Sequence, residues 1–235
     1  MRTPKKRVLE HLIKQIPRYI VTDRVVLNEW SAVAGKHIAP GVFEKYPGEP
    51  KTVHLGDTWT TGYDETTWYS TTVSVPENMR GKKLYLVIDF GGEAIVRING
   101  EIAGGVSSNM NAGWVHRDKI FFPDPLPEVM NIEVEATVNS GGFCDTVLAG
   151  SYSIDYTLAR AEIQAVDEVV ESYYNDICIV SECIDNIEDD AVKAKVYAAF
   201  DDSLHAIDFD FEEPIVRASF AQATKILWDG INAIK

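Results

Sequence analysis

The 235-residue sequence predicts a mainly β fold with added helix: a jelly-roll-like antiparallel β-sandwich, a short helix before it and about three helices after it. Three observations carry this prediction. Short β-type runs separated by turn residues fill the middle of the chain, without the intervening helices that a parallel sheet requires. Asn131–Val138 alternates cleanly: Ile132, Val134, Ala136 and Val138 face one way, and Glu133, Glu135 and Thr137 the other. That is the pattern of an antiparallel strand with one buried and one solvated face. From Leu158 onward the apolar spacing changes from two to three and four, the helical period.

Taken in order, Lys5–Ile16 reads as a short amphipathic helix through Val8, Leu9, Leu12, Ile13 and Ile16, stopped by Pro17. A helix this short is marginal alone and must dock. Tyr19–Trp30 reads as extended, and Gly35–Pro50 as a long surface loop. Trp68–Val75 is strand-like and ends at Pro76. Leu84–Val106 is the predicted centre of an antiparallel sheet. Leu84, Leu86, Ile88 and Phe90 alternate, Gly91-Gly92 breaks the run, and Ala94 to Ile98 resumes it. Asn99-Gly100 then predicts a type I′ hairpin, which needs φ > 0 at both residues. Val115–Phe122 reads as another strand, bounded by Pro123, Pro125 and Pro127. Ser140-Gly141-Gly142 reads as a turn, and Ser151–Leu158 as a last strand or linker.

Ile163, Val166, Val170, Tyr173, Ile177, Val180, Ile184 and Ile187 repeat at three and four, a seam expected to pack inside a helical bundle. Glu188-Asp189-Asp190 breaks this helix and starts a second, where acids suit the helix N-terminus. A third begins near Pro214. The expected division is residues 1–28 as helix and extended arm, 29–157 as sandwich and 158–235 as an acidic helical segment.

Net charge is −14, and it is uneven: residues 158–235 hold 17 Asp+Glu against 6 Lys+Arg, a net of −11. Such a chain is a poor phosphate binder, so no nucleic-acid partner is expected. No run has the length of a membrane span, and the basic start lacks the apolar core of a signal peptide. Cys144, Cys178 and Cys183 form no metal-ligand spacing. Reduced thiols and a cytoplasmic location are the expectation. The five histidines are isolated, phosphate-loop and nucleophile-elbow motifs are absent, and no catalytic or metal-ligating residue is assigned.

The remaining candidates are acids near aromatic rings. Asp57, Asp64, Glu65 and Glu93 lie close in sequence to Trp59, Tyr63 and Trp68, or follow them in the next hairpin. Two readings stay open. In one, Trp59, Asp64, Trp68 and Glu93 form a shallow sugar platform. Alternatively, Trp59 and Trp68 serve the core, and Asp57 and Asp64 hold loop backbone as Asx turns do.

GDTWTTGYDETTWYSTTVSVPE at Gly56–Glu77, followed by GGEAIVRINGEIAGGV at Gly91–Val106, resembles the N-terminal region of glycoside hydrolase family 38 α-mannosidases. The matching residues are Trp59, Thr66, Thr67, Trp68, Tyr69, Val75, Pro76, Glu77, Gly91, Gly92, Glu93, Asn99, Gly100 and Gly105. The resemblance implies a jelly-roll-like, galactose-binding-like sandwich and a helical linker to a catalytic domain. It implies a parent enzyme that is a zinc-dependent retaining hydrolase of terminal α-mannosides. The family's zinc-binding HxHxD-like motif does not occur in these residues, so no zinc or other cofactor is expected in this chain. The expected role is therefore domain packing and subunit assembly. The expected partners are the parent's own catalytic domain and further copies in a homo-oligomer. Recognition of mannosides by the sandwich is the alternative. The resemblance also makes Glu93 and the Trp59 loop, with Asp64 and Trp68, candidate interdomain or intersubunit contacts.

Overall fold

The computed structural model describes residues 4–39, 42–58, 65–107, 117–122, 126–137 and 157–234. They divide into two units, Asp23–Ala165 and Met1–Thr22 with Val166–Lys235.

The first unit is a sandwich of mostly antiparallel strands. Its larger sheet has seven strands: β2 (Glu29–Ala39), β3 (Val42–Lys45), β4 (Lys51–His54), β5 (Glu65–Ser74), β7 (Glu93–Ile98), β8 (Glu101–Ser107) and β10 (Val129–Thr137). They run in the order β3-β2-β5-β10-β7-β8, with β4 also on β2. Its smaller sheet follows the order β1-β11-β6-β9, from β1 (Val21–Val26), β6 (Lys83–Asp89), β9 (Lys119–Phe121) and β11 (Arg160–Val166). Apolar side chains from both sheets fill the interior. Trp30, Tyr69 and Phe90 form its aromatic centre, with ring centroids 5.7 Å apart for Trp30–Phe90 and 4.5 Å for Tyr69–Phe90. The Trp30 Nε1–H is satisfied by the Leu27 carbonyl at 2.8 Å, as a buried indole requires.

The Asn99-Gly100 turn is as its residues demand, with φ of 52° and 85°. Asn99 also reaches beyond its hairpin, where its side-chain oxygen accepts from the Asn131 N–H at 2.8 Å and pins the turn to β10. Leu84–Val106 is not the middle of one sheet, however. β6 lies in the small sheet and β7 in the large one, so Gly91-Gly92 carries the chain from one layer to the other. Gly91 adopts φ 78°, and its N–H is taken by the Asp89 carboxylate at 2.8 Å.

Two further expectations are corrected. Gly35–Pro50 is not simply loop, because β2 runs to Ala39 and pairs with β3. Gly35 marks a close approach rather than a turn: a β-carbon there would sit 2.4 Å from the Glu44 carbonyl oxygen. The helical period does not start at Leu158 either. Ile163 and Val166 fit a heptad, but Ile163 also fits the strand alternation of Ala161, Ile163 and Ala165, and the run Ala161–Val166 is buried throughout. β11 takes them into the sheet. The turn at Ser140-Gly141-Gly142, the run Ser151–Tyr156 and the start of the Val115–Phe122 strand lie outside the described residues.

The second unit holds α1 (Pro4–Ile13), a 3-10 turn at Ile16–Tyr19, α2 (Glu168–Ile184), α3 (Asp190–His205) and α4 (Glu213–Asn232). Asp167 and Asp189 cap α2 and α3, each accepting two backbone N–H groups. Val170, Tyr173, Ile177, Val180 and Ile184 of the seam are all buried, with Phe200, Leu204, Val216, Phe220, Ala223 and Leu227. The seam is internal packing, as expected. Leu9 and Ile16 are buried as well, so the short first helix is docked. Among the described residues no helix is long and apolar enough to cross a membrane.

Candidate functional site

The site is built on the face of the seven-stranded sheet that points away from the core. Side chains alternate across a strand, so Tyr69 in the core sends Trp68 to the opposite face. Register then fixes its neighbours. Trp68 opposes Val33 on β2 and Glu135 on β10. Glu135 opposes Ile95 on β7, and Glu93 opposes Thr137 on β10 and Ser107 on β8. On the other side Gly35 opposes Lys45, and His37 opposes Phe43.

Trp68 leans across β2, and a side chain at position 35 would exclude it: a β-carbon there would lie 2.9 Å from Trp68 Cζ3. Phe43 meets the indole edge-on at 5.4 Å, and the Lys45 ammonium lies 5.3 Å from the indole centroid, in cation–π range. His37 packs edge-on to Phe43 at 4.4 Å. Beside these rings lies Glu135, whose side chain is only 7% exposed. Burying a carboxylate is costly unless it is paired. Here Oε2 accepts from Arg97 Nη1 at 3.0 Å, and Oε1 lies 3.3 Å from His37 Nε2. The result is a rigid patch: two ring surfaces beside a fixed acceptor and a fixed guanidinium.

Of the four residues singled out from sequence, Trp68 lies at the centre of this patch, half-buried. Glu93 shares the face, is exposed, and is separated from β5 by β10. Trp59 and Asp64 lie outside the described residues. Asp57 holds loop backbone, accepting the His54 N–H at 2.8 Å. Sequence reasoning did not reach His37, Phe43, Arg97 or Glu135 as a group. The strand alternation alone puts Glu135 on a solvated face. Its burial follows from the Arg97 and His37 partners that register brings beside it, and from the ring next to it.

The small sheet has its own buried acid. Glu162 Oε1 accepts from Arg160 Nε at 2.8 Å and from Gln164 Nε2 at 2.7 Å. Burial pushes the Glu162 carboxyl upward, but the hydrogen bonds from Arg160 and Gln164 and the charges of Arg160 and Arg24 outweigh it, holding the group below the ordinary carboxylate value. Among the described residues no three His, Cys, Asp or Glu side chains gather as a metal ion requires.

No curated protein matches this sequence. Among solved structures, the chain is similar to a Bacteroides uniformis beta-glucuronidase, with 17% identity over 61% of this chain and 18% of that one, at a TM-score of 0.42. It is also similar to a GH2 beta-galacturonidase from Eisenbergiella tayi (14% identity, 63% and 24% covered, TM-score 0.41). A third is a beta-D-mannosidase from Dictyoglomus thermophilum (14% identity, 62% and 23% covered, TM-score 0.41). The chain thus spans a quarter or less of the length of these three. A family profile described as the jelly roll domain of alpha-mannosidase matches residues 27–164, which contain all of β2 to β10 and most of β11. The chain belongs to the family of α-mannosidase jelly-roll domains.

Proposed function

We propose that this chain is the non-catalytic jelly-roll part of a glycoside hydrolase family 38 α-mannosidase, serving domain packing and subunit assembly in the cytoplasm. The observation that carries the reading is the family match over residues 27–164, which falls on the sandwich. The motifs Gly56–Glu77 and Gly91–Val106 support the finer assignment to family 38. On this reading the hydrolysis of terminal α-mannosides, and the zinc it uses, belong to the catalytic domain of the parent. No catalytic step is assigned to a residue of this chain. The partners are that catalytic domain and further copies of the protein. The apolar side chains left exposed on the helices, Ile179, Ile215 and Trp228, and Phe211 in the connection before α4, are candidates for such an interface.

Two measurements test the proposal. Light scattering on the purified chain is expected to give a mass above one protomer, or to do so once a family 38 catalytic domain is added. A strictly monomeric chain that binds no such domain overturns the assembly role. Incubation with an aryl α-mannoside is expected to release no product. Turnover that survives repurification overturns the non-catalytic reading.

A further inference from the structure

We propose that the outer face of the seven-stranded sheet around Phe43, Trp68, Arg97 and Glu135 is a binding site for a neutral pyranoside. The inference rests on this patch alone and does not depend on the assembly role. A pyranose presents two kinds of surface: a patch of C–H groups on a ring face, and pairs of adjacent hydroxyls that donate and accept side by side. The patch offers a match to both. Phe43 is 39% exposed and stands edge-on to Trp68, which provides apolar ring surface at the solvent boundary. Beside it, Glu135 and Arg97 are locked together at 3.0 Å. A carboxylate has about four acceptor directions, and a guanidinium has five N–H donors in a fixed fork. Arg97 engages one Glu135 oxygen and His37 faces the other, so what a vicinal diol would meet is a remaining acceptor direction on the carboxylate and the unused N–H groups of Arg97, which is 28% exposed.

The geometry is held before any ligand arrives, which lowers the cost of binding. Gly35 leaves room for the indole over β2, and His37 and Arg97 hold Glu135 from two sides. The charge on this face is net negative, with Lys45 and Arg97 against Glu29, Glu93, Glu133 and Glu135. A neutral ligand is therefore favoured over an acidic one, whose carboxylate would meet Glu135.

The test is an NMR titration of the full chain with methyl α-mannopyranoside, methyl α-glucopyranoside and methyl α-galactopyranoside. The Trp68 indole N–H is assigned by its loss in Trp68→Phe. At least one sugar is expected to shift this signal saturably, with a Kd on the order of 1 mM, as suits a shallow site. Glu135→Gln is expected to weaken that binding by about tenfold, the loss of one charge-assisted hydrogen bond. Arg97→Lys, which keeps the charge but loses the fork, is expected to weaken it similarly. Lys195→Gln, at an exposed position of the helical unit, is expected to leave it unchanged. Circular dichroism and the dispersed amide spectrum establish that each variant is folded. A flat Trp68 signal with all three sugars to about 50 mM overturns the proposal. Binding that both folded variants retain at full strength overturns it, as does tighter binding of a methyl glucuronide. A flat response leaves the light-scattering result untouched, so the two proposals fail separately.

Discussion

At the scale of single residues, the described acids and thiols differ mainly in what surrounds them. Glu162 is held below its ordinary value, so it is ionised in the folded state where it would already be protonated in the unfolded one. The sign follows: its contribution is complete above about pH 4.5 and is lost as pH falls through its lower folded value. Urea unfolding followed from about pH 6 to pH 3 is therefore expected to show a drop in sandwich stability that is smaller in Glu162→Gln. The cysteines differ in the same physical way. Cys183 is exposed, while Cys178 is partly buried, and both are free thiols. Burial pushes the Cys178 thiol up, a Tyr174 hydrogen bond opposes this, and the Glu182 charge adds to it. Alkylation mapped by mass spectrometry at neutral pH is expected at Cys183 well before Cys178, since the thiolate is the reacting form. Faster modification of Cys178 would show that its surroundings open in solution.

At the scale of elements, caps and close approaches set the local cost of change. Asp189 accepts the Ala191 and Val192 N–H groups at 2.8 and 2.9 Å. Asp189→Ala is expected to cost about 1 kcal/mol of helical-unit stability, read from thermal unfolding at 222 nm. Gly230 lets α4 approach α3, and a β-carbon there would lie 2.5 Å from Ala199 Cβ. Gly230→Ala is accordingly expected to destabilise by about 1–3 kcal/mol, against the usual gain from replacing a helical glycine. Elements of this kind were partly legible in the sequence. The Asn99-Gly100 turn, the Val170–Ile184 seam and the Asp189 and Pro214 helix starts all carry local signals, and the structure has them where those signals lie. Three features carried none. Ile163 satisfies both periods and Val166 ends a wholly buried run, so only pairing with neighbouring strands assigns them to β11. Gly35 reads as the start of a loop because the Glu44 carbonyl and Trp68 indole beside it are brought there only by strand pairing. The Glu135–Arg97–His37 group draws on three strands, and its members are ordinary surface residues until the register joins them.

At the scale of the molecule, the helical unit is discontinuous in sequence, being made of Met1–Thr22 and Val166–Lys235. Arg217 ties the two pieces. Its guanidinium donates to the Tyr19 and Val21 carbonyls, lies 3.6 Å from Asp167 and bonds Glu213 at 2.6 Å. Leu9, Ile16 and Ile20 add buried apolar surface to the same unit. Arg217→Ala is expected to destabilise the helical unit by about 1–3 kcal/mol, by leaving backbone acceptors without their donor. It is also expected to speed proteolysis within the first twenty residues more than within the sandwich. Equal cleavage in both regions would count against the tie. The same discontinuity orders events during synthesis. The first segment leaves the ribosome without the helices it packs on, and the whole sandwich must follow before they exist. At about 5–20 residues per second that interval is roughly 7–30 s. The amphipathic, basic first helix spends it exposed, open to chaperones and proteases, so the helical unit, begun before the sandwich, is completed after it.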